Sequence, residues 1–192
     1  MQKKDILMLP FSLFAQLDED QQQALNYARR AHAGQTRSDK TAYIAHPERV
    51  AKSVIQFKKS HNIDALMSAA YLHDTIEDTN TTKEDLEKMF GALVASLVQE
   101  LTSDKEEIAK VGKTEYLSQK MKKMTSYALV IKLADRLDNV SDIHTAKNAA
   151  WREKYKKETL TVLNYIEKER VLSKTHMKYI TAIRHKLSEL DH

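Results

Sequence analysis

The chain has 192 residues, a formal net charge of +4, three glycines, two prolines and no cysteine. That length suits one domain with a sizeable core, expected over residues 1–192. Few turn formers beside abundant Ala, Leu, Lys, Glu, Gln and Met predict an all-α, multi-helix bundle. Without cysteine there is no disulfide or thiolate metal site, and His, Asp and Glu are the only strong ligands.

The opening "MQKKDILMLPFSLFAQLDED" has an apolar stretch too short for a membrane span and no small-residue cleavage pattern. A cytoplasmic protein with no membrane partner is expected. Next, "LDEDQQQALNYARRAHAG" reads as a helix: Asp18 at the N-cap, acids in the first turn, Arg29 and Arg30 in the last, Gly34 beyond. "QTRSDKTAYIA" is a connection. Pro47 suits a first helical position, so "HPERVAKSVIQFKK" opens the second helix with His46 at the cap, just outside it. A third helix is expected to start near Asn62 and run through "YLHDTIEDTN". A fourth is announced by Thr81 followed by Glu84, read as a capping box, and closed by Gly91.

Beyond it, "ALVASLVQELTS" predicts a short buried helix, and "DKEEIAKVGKTEYLSQKMKKM" a more exposed charged stretch. "SYALVIKLADRLDNVSDIH" is apolar again, with Asp135, Arg136, Asp138 and Asn139 inside it. Two amphipathic helices, about 146–168 and 174–190, are expected to cover the core. Basic residues are spread among acids, as in "WREKYKKETL", which reads as a solvated helix face. A basic stripe interleaved with aromatics is missing, so no nucleic-acid partner is expected. A small phosphorylated substrate fits the charge.

Helical spacing sets Leu66, Ala69, Ala70, His73, Asp74, Glu77 and Asp78 on one stripe that continues a core-facing one. Inward carboxylates must be neutralised, and a divalent cation can do so. The plain alternative is a helix end that becomes solvated after Leu72, with His73 a satisfied core histidine. Asp135 lies in another apolar helix, and its alternative is pairing with Lys132 or Arg136. Together His46, His73, Asp74 and Asp135 offer two nitrogens and two carboxylates, a set suited to Mn, Fe, Zn or similar ions with positions open for water. Lysines 40, 52 and 132 are expected to face solvent.

The segments "HAGQTRSDKTAYIAHPERVA", "AAYLHDTIEDT", "FGALVASLVQELT" and "IKLADRLDNV" follow one another, over about residues 28–142, in the order and spacing of a known family. The sequence resembles the HD-domain hydrolases of the RelA/SpoT-homologue group, and specifically a stand-alone small alarmone hydrolase, there being no room for the synthetase and regulatory domains of long members. The resemblance implies an HD-domain bundle. It also implies cleavage of the 3′-diphosphate of ppGpp or pppGpp, or a related alarmone, with release of pyrophosphate.

By the same resemblance, His46, His73, Asp74 and Asp135 would hold one Mn²⁺-like ion, with Fe, Zn or Co as substitutes. Glu77 and Asp78 would be the catalytic acidic pair, Arg37 would lie against the base, and Asn139 would line the nucleoside pocket. His32 would support the site. The chain departs from the family at Lys40, near a usual Gly, and at Ala42, in place of Pro; both bear on the placement of the Arg37 loop. Asp138, where His is frequent, and Asp142, where Thr is frequent, add negative charge near the presumed base or ribose. Two other functions stay open at this point: an HD phosphatase or phosphodiesterase acting on another nucleotide, and a non-catalytic nucleotide-binding module.

Overall fold

The structure, a computed structural model, describes residues 19–143 and 148–191. The expected N-cap at Asp18, the N-terminal apolar stretch and the expected start of a helix at residue 146 lie outside them. All regular elements among the described residues are helical: α1 (Glu19–Ala31), α2 (Ala45–Phe57), α3 (Ile63–Leu72), α4 (Thr75–Asp78), α5 (Lys83–Leu101), α6 (Lys105–Val111), α7 (Lys113–Lys123), α8 (Ser126–Ser141), α9 (Ala149–Glu169) and α10 (Lys174–Ser188), followed by a 3₁₀ turn at Glu189–Asp191. The all-α expectation holds, and the β pairing present is an isolated bridge between Thr36 and Ala42.

Helix α3 lies centrally, packed against α1, α2 and α5, while α8 packs against α2, α5 and α10. Every residue from Leu66 to Leu72 is buried, and α8 buries Leu129, Val130, Ile131, Leu133 and Ala134. A helix apolar on all sides belongs inside a bundle, and any polar group it carries is forced into the interior. That is how α3 and α8 bring His73 and Asp135 together. The apolar second half of α5 is buried as expected, through Val94, Ala95, Leu97, Val98 and Leu101. The charged stretch is more exposed: α6 buries nothing, and α7 buries Leu117, Ser118 and Met121 against α9.

Four local expectations are corrected. The third helix does not run through the HD stretch; α3 stops at Leu72, and α4 begins at Thr75 after a break at His73 and Asp74. Thr75 Oγ1 donates to the Leu72 carbonyl at 2.7 Å, the kind of side-chain bond that competes with the helical ladder. The stripe from Leu66 to Asp78 is therefore turned at Asp74. His46 is not outside α2; the helix starts at Ala45, so His46 and Pro47 both sit in its first turn. Proline is still tolerated there because first-turn N–H groups have no intrahelical acceptor. The capping box of α5 is formed by Thr82 and Asp85, one residue later than Thr81 and Glu84. Gly91 (φ 82°, ψ 164°) leaves helical geometry as expected of a terminator, so α5 is two helical segments that meet at a kink there. Lys132 is not solvent-facing, as its ammonium is held inside beside Asp135.

Candidate metal and nucleotide site

His46 comes from the first turn of α2, His73 from the α3–α4 break, and Asp135 from the middle of α8. One ligand atom from each lies within 4.8 Å of the others, a grouping able to hold a metal ion. His46 Nε2 is 3.3 Å from Asp135 Oδ1, and His73 Nε2 is 4.0 Å from the same oxygen. Asp74 borders the group, its Oδ2 lying 3.0 Å from His73 Nε2 and 3.8 Å from His46 Nε2. The four sequence-predicted ligands thus converge.

The outer ring nitrogens are fixed. His46 Nδ1 lies 2.6 Å from Asp138 Oδ2, and His73 Nδ1 lies 2.8 Å from the Ala70 carbonyl. Neither oxygen can donate, so each Nδ1 carries a proton, and in the neutral form that a cation would bind, Nε2 turns its lone pair inward. His73 Nε2 is buried and makes no aligned hydrogen bond despite its nearness to Asp74. A buried orphan acceptor is costly, and a cation between the donors would remove that cost.

Charge favours a cation as well. Burial alone would lower the His46 pKa, but hydrogen bonds to Asp135 and Asp138 and the charges of Asp135 and Asp74 raise it to about 9. Burial likewise raises Asp135, yet Lys132 and the imidazoles hold it well below the usual carboxylate range. His73 overcomes burial at Asp74 and lowers it too. The cluster demands positive charge, and a divalent ion at the same point supplies it. The donor set of two imidazoles and two carboxylates fits such an ion.

Around this end the polar atoms are tied. Asp135 Oδ2 accepts from Lys132 Nζ at 2.9 Å and Oδ1 from Asn139 Nδ2 at 2.5 Å. Pairing with Lys132 therefore occupies one oxygen while the other faces the histidines. Arg136 turns away, donating to Glu158 Oε1 and Thr159 Oγ1 at 3.2 Å and lying 4.7 Å over the Tyr155 ring. Tyr43 OH donates to Asp74 Oδ2 at 2.5 Å. His32 is buried against the Tyr43 ring, with Nδ1 2.8 Å from Gln35 Oε1, and the Gln35 amide donates to the Asp78 carbonyl at 3.1 Å.

Glu77 and Asp78 lie on α4, past the ligands. Glu77 Oε2 accepts from the Ser103 N–H at 2.8 Å. The carbonyl of that same peptide unit, on Thr102, accepts from Lys120 Nζ. Burial, then Asp74 and Glu77, raise the Asp78 carboxyl. Arg37 and Asn139 meet across 102 residues at 3.0 Å. A cleft of about 510 Å³ is lined by His46, Asp74, Asp135, Glu77, Asp78, Arg37 and Asn139, and Lys105, Lys113, Trp151 and Tyr155 also contribute to its wall. Its size suits a nucleotide.

Tyr43, Lys132 and Asp138 were missed as site residues by sequence reasoning. Two of them carried a signal: Lys132 and Asp138 each stand three positions from Asp135 on one helix face. Asp138, expected to add negative charge near the base or ribose, is paired with His46 and Arg49. It is 9 % exposed, held by His46 and by both arms of Arg49 at 2.6 and 2.9 Å.

The profile described as "HD domain" matches residues 24–168. The chain belongs to the HD-domain family. Among its relatives, a Xenopus tropicalis protein named guanosine-3′,5′-bis(diphosphate) 3′-pyrophosphohydrolase MESH1 is 37% identical over 133 residues, 68% of this chain and 73% of its own length. The bifunctional (p)ppGpp synthase/hydrolase SpoT of Escherichia coli is 37% identical over 76% of this chain but 22% of its own length. A solved structure, titled for a metazoan SpoT orthologue that hydrolyses ppGpp and plays a role in starvation responses, superposes with a TM-score of 0.73 at 28% identity, covering 88% of this chain and 96% of that one. The HD-domain bundle is thus the fold. None of the described helices is long and apolar enough to cross a membrane.

Proposed function

We propose that this HD-domain protein is a metal-dependent hydrolase that removes the 3′-diphosphate of ppGpp or pppGpp, releasing pyrophosphate and leaving GDP or GTP. The observation that carries the reading is the inward convergence of His46 Nε2, His73 Nε2 and Asp135 beside Asp74, at one end of a cleft walled by cations, in a chain similar to named pyrophosphohydrolases.

His46, His73, Asp74 and Asp135 are the residues that would hold the ion, taken as Mn²⁺, with Fe, Zn and Co as substitutes. Such an ion, when bound, lowers the pKa of a coordinated water to around 7 and stabilises charge on phosphoryl oxygens. The protein's own groups do the rest. Glu77, held by the Ser103 N–H through one oxygen, keeps its other oxygen for the attacking water or its proton. Asp78, whose carboxyl is raised, is the partner suited to giving a proton back. Lys105, Lys113 and Lys132 line the cleft and meet phosphate charge. Arg37 and Asn139 exchange their mutual bond for contacts with base and ribose.

The test is product analysis. Purified protein with Mn²⁺ is expected to release pyrophosphate from ppGpp, and Asp135→Ala to abolish release while remaining folded by circular dichroism. Orthophosphate as the product would move the chain to the phosphatase reading. Absence of any product from folded, Mn²⁺-saturated protein would refute the hydrolase.

A further inference from the structure

The carboxylate of Asp138 lies at 2.6 Å from the outer nitrogen of His46, in a pair buried by α2 and α8. Both oxygens are also held by Arg49, from Nε at 2.6 Å and Nη2 at 2.9 Å. Arg49 Nη2 reaches Asp142 Oδ2 at 2.5 Å, which in turn lies 3.7 Å from Arg37. His46 and Arg49 are three residues apart on α2, and Asp135, Asp138 and Asp142 share one stripe of α8. The two helices therefore meet through an ordered row of alternating charge that ends on a candidate ligand.

We infer that Asp138, locked by Arg49, is a positioning residue that fixes the tautomer and orientation of His46 and thereby sets the metal affinity of the site. The inference rests on the reading of His46 as a ligand. Its physical basis is that an ionised carboxylate only accepts. Against it, His46 Nδ1 must carry the proton, and Nε2 must present its lone pair to the ion. The carboxylate also raises the ligand's basicity, since positive charge drawn from the ion onto the ring is met by negative charge behind it. Arg49 removes the carboxylate's freedom to rotate, for a guanidinium grips both oxygens in one plane. His73 has a backbone carbonyl in the equivalent place, so the two imidazoles are not equal: His46 is backed by full charge and His73 by a dipole.

Mn²⁺ binding measured by titration calorimetry tests this on wild type, His46→Ala, Asp138→Asn and Asp142→Asn, with thermal unfolding of each metal-free form. Asp138→Asn keeps shape but presents an amide that can donate to Nδ1 and select the wrong tautomer. A loss in affinity of about 10–100-fold is expected. Asp142→Asn, which touches Arg49 but not His46, is expected to bind within about threefold of wild type, as a group outside that pair. Should Asp138→Asn melt well below wild type, Asp138→Asn/Arg49→Gln, lacking the stranded guanidinium, is measured instead, with the same loss expected. Wild-type affinity in the Asp138 variant alongside a large loss in His46→Ala would overturn this inference and leave the ligand reading intact. Wild-type affinity in His46→Ala itself would sink the ligand reading.

Discussion

His73 and His176 are both buried to within 2 % exposure, and the protein uses them in opposite ways. At the N-terminus of α10, His176 Nδ1 accepts from the Ser173 N–H at 3.1 Å, and Nε2 donates to the Ser126 carbonyl at 3.0 Å. Both nitrogens are spent, Nδ1 on capping α10 and Nε2 on tying it to the start of α8. His73 spends only Nδ1, and its Nε2 is left without a hydrogen bond beside Asp74 and Asp135. On the proposed reading, burial alone does not mark a ligand histidine, and an unspent nitrogen does. His32, the other described histidine with a buried unpartnered Nε2, also lies in a motif stretch.

The sharpest break of that comparison exchanges activity for stability. His73→Asn is expected to lower the rate of pyrophosphate release by roughly 10³-fold, because losing a ligand forfeits several kcal/mol of transition-state stabilisation. Metal-free unfolding should change by about 1 kcal/mol or less, since the lost nitrogen makes no aligned hydrogen bond. If His73→Asn unfolds readily yet keeps turnover when folded, the distinction between the two histidines is wrong. Glu77→Gln divides the site itself. It is expected to cost about 10²–10⁴-fold in kcat, the usual range for a general acid or base, while bound metal, measured by elemental analysis, stays at the wild-type level.

His176 supplies the converse. Burial is the main cause of its lowered pKa, with Arg170 and Lys58 adding to it. Its folded pKa lies below the unfolded value of 6.5, so between the two the unfolded chain binds more protons. Stability from this group is complete above pH 6.5 and is lost as pH falls through the folded pKa. Protonating Nδ1 also abolishes its acceptance from Ser173. His176→Ala is expected to cost about 1–2 kcal/mol near neutral pH, the worth of two hydrogen bonds, and to flatten the acid limb of denaturation midpoint against pH. Pyrophosphate release per folded molecule should be unchanged. An acid limb as steep as in wild type would show that His176 does not carry it.

Sequence reasoning reached the site further than its surroundings, for a physical reason. His73 and Asp135 could be read because α3 and α8 are apolar all round, so their polar members had to point inward together. The helix class and most boundaries followed from caps and periodicity. The break at His73 and Asp74 was not legible, as no glycine or proline marks it; it depends on Thr75 Oγ1 taking the Leu72 carbonyl. Tyr43 and Arg49 were hidden because their partners Asp74 and Asp138 lie 31 and 89 residues away. A stripe on one helix predicts a face, and only the packed partner says what that face meets.

The smallest expected effect concerns the loop that carries Arg37. Lys40 stands near a position where glycine is usual in the family it resembles, and its φ is 69°, in the left-handed region. The loop thus keeps a glycine-like backbone without the glycine. It is held there by Lys40 N–H to the Arg37 carbonyl at 2.9 Å, by Arg37 N–H to the Thr41 carbonyl at 2.9 Å, and by Asp39 Oδ1 accepting from Thr41 N–H and Oγ1 at 2.9 and 2.7 Å. An L residue in that region costs about 1–2 kcal/mol, and glycine gives back about 0.5–1 of it through the greater freedom of its unfolded chain. Lys40→Gly is therefore expected to stabilise by about 0.5 kcal/mol in chemical denaturation, and Lys40→Ala, which keeps the strain, to gain nothing. Since Arg37 is oriented by Asn139 at 3.0 Å, KM for ppGpp should stay within about twofold in both variants. Equal stability of the glycine and alanine variants would mean that the turn, and not the side chain at position 40, sets the cost of this conformation.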